Sequence, residues 1–202
     1  MNSVLTRNEI RSFVTVFAML TLGNLSCSQN RTFLTQEEKA WNPYEIGQKL
    51  IFGTLDGRRD TMEITKSSDM QFADGIGSLQ NERLNVLARI RDLTISRKPI
   101  EVTLLYMFAR SKENPSRIKF ELPLAGGKFW GKGYSFNELG NYDEISLHTP
   151  YGQFEDVIKI YDNSNQDLRD KDISVIFWSK SFGYVRCEKK DGTIWDLLDI
   201  HK

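Results

Sequence analysis

The chain has 202 residues, of which 40% are apolar and 27% charged, an ordinary globular composition with room for one domain and its core. Lys plus Arg and Asp plus Glu both number 27, so the formal net charge is zero. The basic excess that phosphate-backbone binding needs is missing, which sets nucleic acid aside as a partner.

Residues 1–11 are polar, with Arg7 and Arg11 outweighing Glu9, and lead into the uncharged run Phe13 to Leu22, "FVTVFAMLTL". A bilayer span needs about 20 apolar residues, whereas the core of a secretory signal needs about 7–15 behind a basic preface. The run therefore reads as a signal peptide over residues 1–26, against the competing reading of a buried N-terminal helix in a cytosolic domain. The exit, "GNLSC", resembles the lipobox of bacterial lipoproteins: Ser26 and Cys27 match, and Asn24 stands where that motif usually has Leu. The resemblance implies lipid attachment at Cys27. Two alternatives stay open: a cut after Ser28 that discards the cysteine, and a disulfide between Cys27 and Cys187 in an oxidising compartment. Cys187, in the alternating stretch "GYVRCEKKDG", reads as a small buried apolar side chain.

Residues 27–43 then read as the lipidated cysteine, a polar tether and a short helix. Thr35 to Glu38, "TQEE", has capping-box spacing, and Pro43 ends the helix. Residues 44–202 read as an antiparallel β domain. "KLIFGTL", Asp56-Gly57 and "TMEIT" spell a hairpin whose turn requires positive φ. "ERLNVLARIRDL", Glu82 to Leu93, fits both a strand and a helical face, and its strand-rich surroundings favour the strand. Strands follow at Pro99 to Arg110 and Arg117 to Leu124, where Pro123 marks an edge or strand end. Gly126-Gly127 reads as a turn into "KFWGKGYSF"; Glu155 to Tyr161 and Ile173 to Lys180 are further strands, and an Asp191-Gly192 hairpin closes the chain. The expectation is a mainly β protein: a single antiparallel, curved sheet of nine or ten strands, as a half-barrel or sandwich.

Chemistry-bearing residues are sparse. Of two histidines, His201 is penultimate and His148 in "SLHTPYG" lacks a nucleophile elbow, so it reads as a strand-end or turn residue. No ligand set for a metal, no cofactor and no catalytic group is assigned. The oxygen-rich "YDNSNQDLRDKD", Tyr161 to Asp172, lacks the glycine and closing glutamate of an EF-hand and reads as a solvated loop. "GGKFWGKGYSF", Gly126 to Phe136, interleaves aromatics with lysines and glycines, so Phe129, Trp130 and Tyr134 are the ligand-contact candidates. The plainer reading is a hairpin whose aromatics fill the core. "DTM", Asp60 to Met62, resembles the short O-glycosylation sequon of exported Bacteroidota proteins, which would place Thr61 on the surface.

Taken together, the signal and cysteine, "WNPYEIGQKLIFGTLDGRRDTMEIT" and the C-terminal "FEDVIKIY…VIFWSKSFGYVRCEKKDGTIWDL" resemble Bacteroidota-type exported lipoproteins. The ending is also similar to lipoprotein-carrier half-barrels. The resemblance implies a cell-envelope lipoprotein held on a membrane by lipid on Cys27, on the periplasmic face and in the outer membrane. A non-enzymatic binding or structural module is the leading expectation, with an apolar ligand or an envelope protein as partner. A carrier would show a large apolar concavity. The alternative, a carboxylate-dependent hydrolase of envelope glycans, would show two facing carboxyls, one with a raised pKa.

Overall fold

The computed structural model describes residues 32–73, 80–90, 99–109, 115–164 and 167–202. Among these the chain forms one curled antiparallel sheet of twelve strands, a half-barrel, with two short helices. In chain order the elements are α1 (Gln36–Lys39), β1 (Lys49–Gly53), β2 (Arg59–Ala73), β3 (Gln80–Ile90), β4 (Ile100–Phe108), β5 (Arg117–Leu124), β6 (Gly127–Trp130) and β7 (Tyr134–Ser135). They continue as α2 (Phe136–Gly140), β8 (Glu144–Thr149), β9 (Gly152–Tyr161), β10 (Ile173–Ser179), β11 (Gly183–Lys189) and β12 (Ile194–His201). The sheet runs β6-β5-β4-β3-β2-β1-β12-β11-β10-β9-β8, with β7 pairing β5.

Two-residue alternation builds the strands. In β5, Ile118, Phe120, Leu122 and Leu124 face the core while Lys119 and Glu121 do not. The ambiguous segment is strand as far as Ile90, its last three residues lying outside the described ones: β3 is paired on both sides, by β2 from Met62↔Ile90 to Ala73↔Gln80 and by β4 from Arg83↔Phe108 to Ile90↔Ile100. Both Asp-Gly hairpins form, with Gly57 at φ 87° and Gly192 at φ 84°. The third turn lies one residue earlier than its glycines indicate. Ala125 (φ 48°) and Gly126 (φ 73°) occupy its centre, and Leu124 pairs Gly127. Gly127 is needed in the strand instead, because a Cβ there would overlap the Lys171 carbonyl oxygen. The strand count exceeds the expected nine or ten because "EISLHT" forms β8 and the "KFWGKGYSF" segment breaks into β6, β7 and the start of α2.

Packing starts well before Tyr44. Leu34 and Trp41, in the stretch read as tether and short helix, are buried in the common core with Tyr44. The capping box on α1 forms as expected, with Thr35 Oγ1 accepting from Glu38 N and Glu38 Oε2 from Thr35 N. The buried carboxylate of Glu82 in β3 then fastens this segment: it accepts from Leu34 N at 2.6 Å and forms an ion pair with Lys39. Glu82 N also donates to Thr32 O. Residues 32–48 thus lie across one end of the curled sheet.

The inner face of the sheet is filled by its own side chains. Trp178, Tyr184, Phe120 and Tyr44 form a continuous ring cluster, with Phe120–Trp178 centroids 4.8 Å apart and Trp178–Tyr184 4.9 Å apart. Leu104, Met107, Phe52 and Met62 are wholly buried around it. Tyr44 also explains Gly183, which stands at φ 83° with the Tyr44 hydroxyl where a Cβ would go. That hydroxyl instead accepts from Tyr184 N at 2.9 Å. Cys187 is a free thiol, fully buried, and burial pushes its pKa far up. Cys27 and residues 1–26, read from the sequence as a signal peptide, lie outside the described residues.

Candidate functional site

The ladder between β4 and β5 runs from Phe108↔Arg117 to Leu105↔Phe120 and stops there. The next pair would be Leu104 and Glu121. Between them sits the hydroxyl of Tyr184, reaching across the core from β11. It donates to Leu104 O at 2.9 Å and accepts from Glu121 N. A side-chain oxygen therefore takes the place of a ladder bond, and the two strands part at that point. Burial raises the Tyr184 pKa well above that of free tyrosine, so the group stays a neutral donor.

Beyond the fork, β5 continues paired only with β6, from Glu121↔Trp130 to Leu124↔Gly127. Pro123, which has no N–H, falls in this half, past the last β4 pair, as its strand-end reading expects. The β5–β6 hairpin leaves β4 and is fastened at its tip to other strands. Asp60 of β2 accepts from Ala125 N at 2.7 Å, and Lys189 of β11 donates to Ala125 O at 2.9 Å. The crease left behind is a half-open groove of about 150 Å³, lined by Val102, Thr103, Glu121, Pro123, Lys128 and Trp130, with Leu122 and Phe129 beneath.

The three sequence-selected aromatics separate here. Trp130 is half-buried on the groove wall, with Lys128 Nζ 4.7 Å from its ring centroid. Phe129 is core, touching the groove from below, and Tyr134 is core, its hydroxyl donating to Tyr161 O at 2.7 Å. Glu121 pairs with Lys119 at 2.5 Å.

The oxygen-rich segment 161–172 has a structural task. Asp162 Oδ2 accepts from Trp130 N at 3.0 Å, and Asn163 Oδ1 accepts from Lys132 N at 2.6 Å. These side chains cap the outer edge of β6, the kind of open edge that otherwise invites strand addition. Arg169 and Asp172 form a bidentate pair at 2.9 and 2.8 Å, and the Arg169 bonds hold the Asp172 carboxyl below the usual carboxylate range. Among the described residues, no group of three or more His, Cys, Asp or Glu side chains could hold a metal ion.

A second, larger groove of about 580 Å³ opens between α1 and α2. Trp41 and Phe136 form its floor, in edge contact at 6.1 Å, with Glu37, Asn137 and Lys180 around them. The helix α2 carries its own capping box, Ser135 with Glu138. Its signature "SFNE" stands in the sequence, inside a stretch that otherwise reads as strand. Lys180 Nζ lies 5.3 Å from the Trp41 ring and 2.8 Å from Glu144. His148, in β8, is exposed, and its carbonyl accepts from Arg186.

The fold and its grooves define a class, a curled antiparallel half-barrel with a filled interior and its open clefts on the surface. Comparison with family models, curated proteins and solved structures returned no match.

Proposed function

We propose that this chain is a non-enzymatic binding or structural module of the cell envelope, held at a membrane by lipid on Cys27. The observation that carries the binding reading is the contrast between the two faces of the sheet. The inner face is occupied by Trp178, Tyr184, Phe120 and their neighbours, whereas the outer crease beside Trp130 stays open. A ligand is therefore met on the surface, with an indole, a lysine and a carboxylate at hand, and the volume suits one ring-sized group rather than a lipid chain. Segment 161–172 and the Tyr184 fork hold the crease in shape, so little is lost to ordering on binding.

The hydrolase alternative needs a carboxyl with a raised pKa. Among the described residues, the carboxyls with resolved shifts, Asp56, Asp156, Asp172 and Asp191, are all lowered, and each is engaged by nearby backbone or side-chain donors. The test has two parts. Intact mass of the protein from its native membrane is expected to show a diacyl or triacyl group on a chain beginning at Cys27; an unmodified chain beginning elsewhere overturns the anchor. Native mass spectrometry against envelope extracts is expected to find a ligand that Trp130→Ala loses, while circular dichroism stays unchanged. Retention of every ligand by that variant overturns the groove.

A further inference from the structure

The strands of this sheet have two ends, and one of them carries a cluster of three aromatic rings, two of them partly exposed. The last β9–β10 pair at that end is Val157↔Ser179, so the β8–β9 hairpin runs on past β10 through Gly152 to its turn at Pro150-Tyr151. On this overhang the Tyr151 and Phe154 rings stack at 6.1 Å. Phe182, in the β10–β11 turn, meets Phe154 edge-on at 5.1 Å and Tyr151 at 6.1 Å. Phe154 is buried beneath the other two, whereas Tyr151 and Phe182 are each 38% exposed. Phe33 and Ile46, at 51% and 66%, belong to the N-terminal segment that crosses the same end. At the opposite end lie the exposed Leu55, Ile194 and Tyr161; Leu55 and Ile194 sit in or beside separate turns, and Tyr161, 60% exposed, carries Lys159 Nζ at 5.2 Å from its ring and, among the described residues, stacks on no other ring.

What covers this cluster follows from where the chain enters the fold. Lys180, in the same turn as Phe182, packs on Trp41, and Thr32, the first described residue, is bonded to β3 through its carbonyl. Five residue steps separate Thr32 from Cys27, a reach of at most about 18 Å in any conformation. A cysteine fixed in a bilayer would therefore keep the end at which Thr32 enters close to the lipid surface. Tyr and other amphipathic rings are at home at the headgroup level, where the ring is buried and the hydroxyl is wet. The chain has no overall basic excess to draw it to anionic lipid, and Lys180 beside Phe182 is paired with Glu144, which leaves the rings to supply the contact.

We propose that Tyr151 and Phe182, seated on the buried Phe154, form a membrane-contact surface that sets this end of the half-barrel on the lipid–water interface. The proposal rests on the anchor reading of Cys27, and its test separates the two. Protein from the native membrane is reconstituted into phosphatidylethanolamine/phosphatidylglycerol vesicles, and backbone hydrogen exchange is followed. If its mass shows no acyl group, protein expressed as residues 27–202 is coupled through Cys27 to a maleimide lipid before reconstitution, Cys187 being buried and spared. Exchange at 149–155 and 181–183 is expected to slow severalfold relative to protein in solution, while the turns at 54–58 and 190–193 at the other end do not change. The partly exposed pair Tyr151→Ser/Phe182→Ser, with Phe154 kept, is expected to abolish that protection while the tether stays in place. Equal exchange at both ends, or protection that survives the double variant, overturns the surface. Protection without a native acyl group would remove the anchor and keep the surface; an acyl group without protection would do the reverse.

Discussion

Tyr184→Phe removes one oxygen atom from the fork between β4 and β5 and leaves the ring where it is. The ring keeps its contacts with Trp178, Phe120 and Tyr44, so the packing contribution is nearly unchanged. What is lost is the donor to Leu104 O and the acceptor for Glu121 N, both at a wholly buried hydroxyl. A buried backbone group left without a partner costs roughly 1–3 kcal/mol, so the pair amounts to about 2–4 kcal/mol after some relaxation. With a urea m-value of about 2 kcal/mol/M for a domain of this size, the unfolding midpoint is expected to fall by about 1–2 M with m unchanged. Urea titration followed by tryptophan fluorescence and by circular dichroism measures it. A midpoint shift below about 0.3 M refutes the reasoning. It would mean that Leu104 and Glu121 close into the ladder directly once the oxygen is gone. The crease beside Trp130 would then owe its shape to something other than Tyr184.

Gly183→Ala is expected to destabilise far more than Gly57→Ala, although both stand at φ near 85°, because only at Gly183 does the Tyr44 hydroxyl fill the space; the backbone strain common to both is about 1–2 kcal/mol, and thermal unfolding of the two variants compares them. Glu82→Ala removes the buried acceptor of Leu34 N and the partner of Lys39 and is expected to cost about 2–3 kcal/mol, seen first as faster hydrogen exchange at Leu34, whereas Glu82→Gln keeps an acceptor for Leu34 N and is expected to cost less. Asp172 is lowered chiefly by its Arg169 hydrogen bonds, so its contribution is full above the unfolded carboxylate pKa of about 4 and is lost as pH falls through the lower folded value; Asp172→Asn is expected to flatten that acid limb of the stability curve. Ala125→Gly relieves a non-glycine residue at φ 48° in a turn that wants glycine and is expected to stabilise by about 0.5–1 kcal/mol, read as a raised melting temperature.

Much of the sheet was legible because its signals are local. Period-two alternation, the Asp-Gly turns and the Thr35 capping box each depend on residues within a few positions of one another. What escaped depends on distant partners. Leu34 and Trp41 sit in a polar stretch that looks like a tether, and distant partners make them core: Glu82, 43 positions from Lys39, holds the stretch at Leu34 and Lys39, and Phe136 and Lys180 meet Trp41. Gly126-Gly127 looks like the turn, yet Gly127 is a strand residue because of Lys171, far along the chain. Trp130, Phe129 and Tyr134 look alike in sequence. The sheet alternation and the pairing of β6 turn one outward and two into the core, and the groove beside Trp130 exists because of a hydroxyl more than fifty residues away.

The order of strands also governs how such a chain can be made. β1 pairs β12 from Lys49↔His201 to Gly53↔Asp196, so an early strand and the last one meet in the middle of the sheet. On either side of that seam lie sequential meanders, β1 to β6 and β8 to β12, built from neighbours in the chain. A polypeptide emerging from a ribosome or a translocation pore N-terminus first can form the first meander early. Its β1 edge, bearing the wholly buried Leu50 and Phe52, then waits unpaired until residues 194–201 are free. Synthesis leaves this chain longest exposed at its centre rather than at its ends, which is where a holding chaperone would be expected to engage it.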